Sequence, residues 1–289
     1  MAETTLDPEL LRRRPLPPIG EGKDERGAVV VVAGCPQMPG AAILAATAAL
    51  RAGAGKLQIG TCRSVAPQVA AAVPEALVFA LDETPAGAIA PSCAETIARR
   101  ANAADAIVLG PGFADEDDNA ALVREVAALL EVPALVDAAA MWCLREAASA
   151  FAPLRGRVVI TPHAGEMARL LGANRADVEH DQARFAREAA QRFGAVVALK
   201  GQQTVLAAPD GDLYRHREGE PGLGTSGSGD VLAGVIGGLL ARGADPLRAA
   251  AWGIVLHARA GAELARRVGV GFLARELPGE IPALMRWLS

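Results

Sequence analysis

Short β-branched runs that alternate with longer Ala- and Leu-rich stretches most tightly constrain how this 289-residue chain can fold. The runs fall at 28–33 (Ala-Val-Val-Val-Val-Ala), 56–61, 76–80, 105–109, 133–137 and 157–161. Most are apolar at their centres, which marks strands buried in a parallel sheet, and the gaps between them have room for crossover helices. The pattern predicts βαβ units wound into a parallel sheet. Near 195–199, 203–208 and 211–215 three short strands follow one another, with turn signals at Lys200-Gly201 and Pro209-Asp210-Gly211. An antiparallel edge is expected there. From residue 226 onward the pattern is almost wholly helical.

Such a sheet needs a large apolar core, and composition supplies one. Hydrophobic residues make up 51% of the chain and charged residues 21%, with six Phe, three Trp and one Tyr, so Val, Leu, Ile and Ala carry the packing. One domain over 28–289 is expected, preceded by a charged, Pro-rich extension over 1–27. That extension has no apolar core suited to a signal peptide, and no segment reaches the roughly 20 apolar residues that cross a bilayer. The net charge of −4 argues against a nucleic-acid partner. Cys35, Cys62, Cys93 and Cys143 lie far apart, without metal-ligand spacing, and read as buried thiols in a reducing compartment, the cytoplasm.

In parallel α/β sheets, ligands bind beyond the C-terminal strand ends. Four loops are expected on that rim: Gly34 to Gly40, Gly110-Pro111-Gly112, Thr161-Pro162-His163-Ala164-Gly165-Glu166, and Lys200-Gly201-Gln202-Gln203-Thr204. A fifth loop, Gly222 to Asp230, runs straight into the helical segment from Val231. A glycine-rich loop that opens a helix gathers free N–H groups and the positive end of the dipole at one spot, where a phosphate fits. Asp230 then places a carboxylate beside that spot. It serves either as a first-turn residue favoured by the dipole or as a general base for a hydroxyl that attacks the phosphate.

Other residues have similarly divided readings. Thr161 is expected to cap a helix whose first turn carries Pro162 and His163, while Glu166 is either a solvated helix residue or a carboxylate near Mg2+. Lys200 offers a point charge for phosphate, unless it is a plain turn residue. Asp137 either caps a helix at 138–146 or faces the rim. His180, His216 and His257 read as surface or helix-face residues.

In this setting the chain resembles the ribokinase-like superfamily and, more narrowly, the ADP-dependent NAD(P)H-hydrate dehydratases. The motifs that carry the likeness are GTSGSGDVLAG (224–234), TPHAGE (161–166), KGQQT (200–204), GPG (110–112), and Pro39-Gly40-Ala41-Ala42 paired with Leu50-Arg51-Ala52-Gly53-Ala54-Gly55. The resemblance implies a three-layer α/β/α sandwich. It also implies a reaction in which ADP phosphorylates the C6 hydroxyl of (6S)-NADHX or NADPHX, phosphate is eliminated, and AMP and NAD(P)H result.

By the same resemblance, Asp230 is the base and a hydrate contact, and Ser226, Gly227, Ser228 and Gly229 form an anion hole. Lys200, Gly201, Gln202, Gln203, Thr204 and Gly229 hold AMP, while Ala41, Gly112 and His163 line the hydrate pocket. Mg2+ and a homotetramer are implied as well. The sequence departs from the family pattern at Ser226 and Ser228, where Gly and Thr are usual, and at Ala139, where an acid is expected. The epimerase domain that often precedes this one is not expected. Two other functions fit the same loop: a kinase for a small vitamin-precursor alcohol, and a nucleotide-binding protein without turnover.

Overall fold

A computed structural model describes residues 3–114 and 117–288. Among these, ten strands form one sheet: β1 Thr4–Thr5, β2 Ala28–Val32, β3 Lys56–Cys62, β4 Leu77–Leu81, β5 Ala106–Leu109, β6 Ala134–Val136, β7 Val158–Ile160, β8 Val196–Leu199, β9 Thr204–Ala207 and β10 Leu213–His216. Their order across the sheet is β1-β10-β9-β8-β7-β6-β5-β2-β3-β4. From β4 to β8 every pairing is parallel, and β9 and β10 add antiparallel ladders, as the change of rhythm near residue 200 predicts.

The described helices are α1 Pro8–Arg13, α2 Pro39–Arg51, α3 Ala66–Ala72, α4 Ala94–Asn102, α5 Asp117–Leu129, α6 Cys143–Glu146, α7 Ala164–Leu171, α8 Arg175–His180, α9 Gln182–Phe193, α10 Ser228–Ala241, α11 Pro246–Val268 and α12 Leu277–Leu288. They cover both faces of the sheet. In β2, Val29 and Val31 join the core under α2, α10, α11 and α12, while Val30 and Val32 join the core under α4, α5, α7 and α9. The period-two alternation of a strand thus feeds two cores at once, so the run is apolar at every position.

The N-terminal residues are built into this sandwich rather than preceding it. β1 pairs in parallel with β10, Thr4 opposite Tyr214, and the Leu6 N–H donates to the Arg215 carbonyl at 2.9 Å. Leu6 and Leu11 are buried in the same core as α10 and α11. Burial of two leucines is worth about 3–6 kcal/mol of transfer free energy, so this segment contributes to folding.

α10 sits unusually close to α2. Gly234 and Gly238, one turn apart, face Ala45 and Ala49, and a Cβ on either glycine would run into the opposing alanine's carbonyl oxygen. Gly237 meanwhile leaves room for the Val108 side chain of β5. The small residues let α10 pack closely against α2 on one side and β5 on another, and this fixes where its N-terminus emerges on the rim. The Ala-rich faces of α2 and α11 are buried inside the chain.

Candidate active site

Sheet order brings the rim loops side by side, because β2, β5, β6, β7 and β8 are consecutive neighbours. Gly34 N–H donates to the Pro111 carbonyl at 2.8 Å. Gly112, at φ +67°, lies so close to Ala41 that a Cβ there would stand 2.5 Å from the Ala41 side chain. Ala41 and Gly112, two expected hydrate contacts, therefore form one wall. Next along the rim, Gly110 abuts the Asp137 carbonyl, and the Lys200 N–H donates to the Pro162 carbonyl at 2.8 Å.

At the centre is Asp137, 2% exposed. Its carboxylate does not cap the following segment, which is a 3-10 turn over Ala138–Trp142 before the short α6, so the expected helix over 138–146 is only partly α-helical. Instead Oδ1 accepts from Thr161 Oγ1 at 2.6 Å and from Lys200 Nζ at 3.0 Å. A buried carboxylate is tolerated only with such partners. Burial alone would lower the Lys200 pKa, but the charges of Asp137, Glu166 and Asp230 outweigh it and hold the ammonium above its ordinary range.

The structure corrects the expected cap at Thr161, whose hydroxyl is used on Asp137. The N-cap of α7 is His163: Nδ1 accepts from the N–H groups of Gly165 at 3.0 Å and Glu166 at 3.1 Å, while Glu166 Oε2 accepts from the His163 N–H at 2.8 Å. This is a capping box with histidine in the place of serine or threonine. Two N–H donors at Nδ1 leave any ring hydrogen on Nε2, and the imidazole remains largely exposed at the rim.

Beyond Lys200 lies the glycine loop. Gly227 takes φ +88° as N-cap of α10, and the first intrahelical bond runs from Val231 N–H to the Gly227 carbonyl at 3.1 Å. The N–H groups of Gly229 and Asp230 thus have no acceptor within the helix and are available to an anion. The Ser228 N–H, an expected member of the anion hole, reaches back to the Thr225 carbonyl across 3.3 Å. Lys200 Nζ lies 3.4 Å from where a Cβ on Gly229 would stand, which puts a cation against the same turn.

Burial drives the Asp230 carboxyl up to about 7; the negative charge of Asp137 adds to this, and Lys200 offsets part of it. A carboxylate that titrates near neutrality beside an anion-binding turn is suited to take up a proton at working pH.

Of the expected AMP residues, Gly201 leaves room for Gln182, whose amide would stand 2.6 Å from a Cβ there. Gln203 accepts from Arg215 Nη1 at 3.4 Å, and Thr204 opens β9.

Of the histidines expected at surface or helix-face positions, His216 departs from that expectation, while His257 lies on a helix face turned toward α10. His216 is 3% exposed, with Nδ1 2.8 Å from the Leu6 carbonyl. His257 in α11 meets Ser228, 3.0 Å from both its Oγ and its carbonyl oxygen. Sequence reasoning missed this pair because the two residues are 29 positions apart and meet only through the crossing of α10 and α11.

For Mg2+, no group of three or more His, Cys, Asp or Glu able to hold a metal ion occurs among the described residues. The donor set fits an ion carried in on phosphate oxygens, with most of its waters retained and one carboxylate nearby. Glu166 is the candidate for that carboxylate that the motif offers, and in the structure it serves the capping box of α7.

A mostly parallel sheet covered on both faces, with a glycine turn and a lysine–aspartate pair on its C-terminal rim, defines a ribokinase-like α/β protein. The chain belongs to the NAD(P)H-hydrate dehydratase family, whose model matches residues 29–283.

Among curated relatives, the ADP-dependent (S)-NAD(P)H-hydrate dehydratase of Xanthomonas campestris is 48% identical over 282 residues, 97% of this chain and 96% of that protein. The bifunctional NAD(P)H-hydrate repair enzyme of Escherichia coli is 36% identical over 88% of this chain, and the match spans 47% of its own length. The chain therefore covers about half of such bifunctional relatives. Among solved structures, the Bacillus subtilis ADP/ATP-dependent NAD(P)H-hydrate dehydratase co-crystallized with ATP/Mg2+ superposes with a TM-score of 0.82 at 29% identity, each chain fully covered.

Proposed function

We propose that this chain dehydrates (6S)-NAD(P)H-hydrate at the expense of ADP and returns the reduced nicotinamide cofactor with AMP and phosphate. The observation that carries this reading is Asp230, a half-buried carboxyl raised to about 7 in the first turn of α10, beside unpaired N–H groups and Lys200.

Asp230 accepts the proton of the C6 hydroxyl as its oxygen attacks the terminal phosphorus of ADP. The bond from that phosphorus to the bridging oxygen breaks, and AMP leaves with the electron pair. The free N–H groups at the start of α10, those of Gly229 and Asp230, stabilise the charge that develops on the transferred group, and Lys200, held by Asp137, adds a fixed positive charge. Phosphate then leaves C6 with the C6–O electron pair while C5 gives up a proton to solvent, and the C5–H electrons form the C5=C6 double bond of the reduced cofactor. KGQQT (200–204) and Gly229 hold the AMP portion, while Ala41, Gly112 and His163 face the hydrate. Glu166 would face the water shell of a Mg2+ ion brought in on the diphosphate, and such an ion would supply charge neutralisation there. We assign the working form to a homotetramer in the cytoplasm, a setting that suits four free, buried cysteines.

The test is to incubate the protein with ADP and enzymatically prepared NADHX and follow the near-ultraviolet absorbance of dihydronicotinamide. A rise that depends on ADP and is lost in Asp230→Asn supports the reading. No rise with ADP or ATP, together with ATP-dependent phosphorylation of a vitamin-precursor alcohol, replaces it with the kinase reading.

A further inference from the structure

The contact between α10 and α11 leaves one hydroxyl hydrogen without a protein acceptor among the described residues. His257 Nε2 is 3.0 Å from the Ser228 carbonyl oxygen and 3.0 Å from Ser228 Oγ. A carbonyl oxygen can only accept, so Nε2 carries the ring hydrogen. The same hydrogen faces Oγ in a three-centre arrangement, which makes the hydroxyl oxygen an acceptor on that side. The hydroxyl's own hydrogen is left over, and among the described residues no protein acceptor takes it. Ser228 is 4% exposed and stands at the first position of α10, between Gly227 and the unpaired N–H groups of Gly229 and Asp230.

We propose that His257 is a positioning residue that turns the Ser228 hydroxyl hydrogen toward the anion site, making Ser228 Oγ a side-chain donor to the transferred phosphoryl group. This rests on the reading of the 224–230 turn as the phosphoryl-transfer centre. It also explains why the Ser228 N–H can be tied to Thr225 without cost to the anion hole, since the residue contributes its hydroxyl instead.

Serine needs such an anchor. Unlike threonine it has no β-branch to restrict χ1, and an unanchored hydroxyl can turn to a backbone carbonyl one turn back. The anchor must also stay neutral, because a second ring hydrogen would add a charge beside Lys200. Burial brings the imidazole down to about 4, the bond to the Ser228 carbonyl partly offsets this, and Lys200 lowers it further. His257 therefore holds one hydrogen throughout the neutral range.

The test is to titrate inorganic phosphate calorimetrically into AMP-saturated protein and to measure kcat and KM on the hydrate in parallel. Ser228→Ala and His257→Phe are each expected to weaken phosphate binding about tenfold or more, the scale of one hydrogen bond to a charged group, and to lower kcat comparably. KM for ADP should stay within about twofold. The double variant should lose no more than either single one. His257→Gln, with an amide N–H in place of Nε2–H, should recover most of the loss.

Additive losses in the double variant would overturn the proposal, as would a His257→Phe protein that melts earlier yet binds phosphate normally. If the His257→Phe protein does not fold, Ser228→Ala and His257→Gln decide: an unchanged phosphate affinity in Ser228→Ala refutes the donor role. Should the wild-type protein fail to process the hydrate while the coupled losses in phosphate binding appear, the assigned reaction falls and this proposal stands.

Discussion

Lys200 Nζ lies 3.0 Å from Asp137 Oδ1, a pair that joins the ends of β6 and β8 across the end of β7 at the centre of the rim. Both members influence Asp230 in opposite directions, Asp137 raising its pKa and Lys200 lowering it. The base therefore titrates in the electrostatic field of an ion pair it does not itself belong to.

Asp230→Asn should leave ADP and AMP affinity nearly unchanged and lower kcat by at least ~100-fold, the lower end for loss of a positioned base. Parallel calorimetry and turnover measurements check this. A variant with near-normal turnover would remove Asp230 from the base role.

The pH profile follows from the same group. With Asp230 raised to about 7, kcat/KM should climb through the neutral range as the carboxyl ionises. Asp137→Asn removes a negative neighbour and frees Lys200 to face Asp230. Both changes favour the ionised form, so the rising limb should move to lower pH. A limb that stays in place would show that another group controls it.

Stability should move the other way. The Asp230 carboxyl has an ordinary value of 3.8 and a folded value of about 7, so between these values the folded state keeps a proton that the unfolded chain has lost. Stability then falls as pH rises through that window, and the penalty is fully present above it. Asp230→Asn should melt higher than the parent at pH ~8 and show no gain below pH ~4, with roughly 2–4 °C for each kcal/mol recovered. Equal melting temperatures at both pH values would contradict the assigned environment.

The seam between α2 and α10 predicts a sharp contrast among glycines. Gly238→Ala places a Cβ against the Ala49 carbonyl and should cost about 1–3 kcal/mol despite the better helix propensity of alanine. Gly22→Ala, with nothing within 4 Å of the added carbon, should be close to neutral. Chemical denaturation of the two variants compares them directly.

Leu6→Ala should cost about 2–5 kcal/mol, because Leu6 is 1% exposed within the main core. Thermal melting measures this, and a neutral result would mean that the N-terminal segment is not packed as described.

The sequence revealed most where several neighbouring residues carried one signal. The strands from Ala28–Val32 to Val158–Ile160 fall within a residue or so of the runs that predicted them, and in β5, β6 and β7 burial on both faces leaves no polar interruption. β1 was illegible: two threonines have no periodicity, and their partners lie more than two hundred residues on.

At the site, the glycine turn and Asp230 could be read locally. Asp137 could not, since the choice between cap and rim depends on β7 and β8 bringing Thr161 and Lys200 to it. For His163 a local signal was present, Glu166 three residues later, but the histidine in the capping position disguised it. Ser228 and His257 gave no sequence signal of their contact, which depends entirely on how two helices cross.

The parallel pairing of Thr4–Thr5 with Tyr214–Arg215 also bears on how the molecule assembles. A ribosome that has emitted β1 must synthesise some two hundred further residues before the strand it needs exists, so this margin of the sheet closes late in biogenesis. Until then Leu6 and Leu11 remain exposed on the nascent chain, and the edge of β10 is covered only when they arrive. Ring closure over so long a separation is entropically slow, so completion of this margin, rather than formation of the central parallel ladders, is expected to set the pace of maturation.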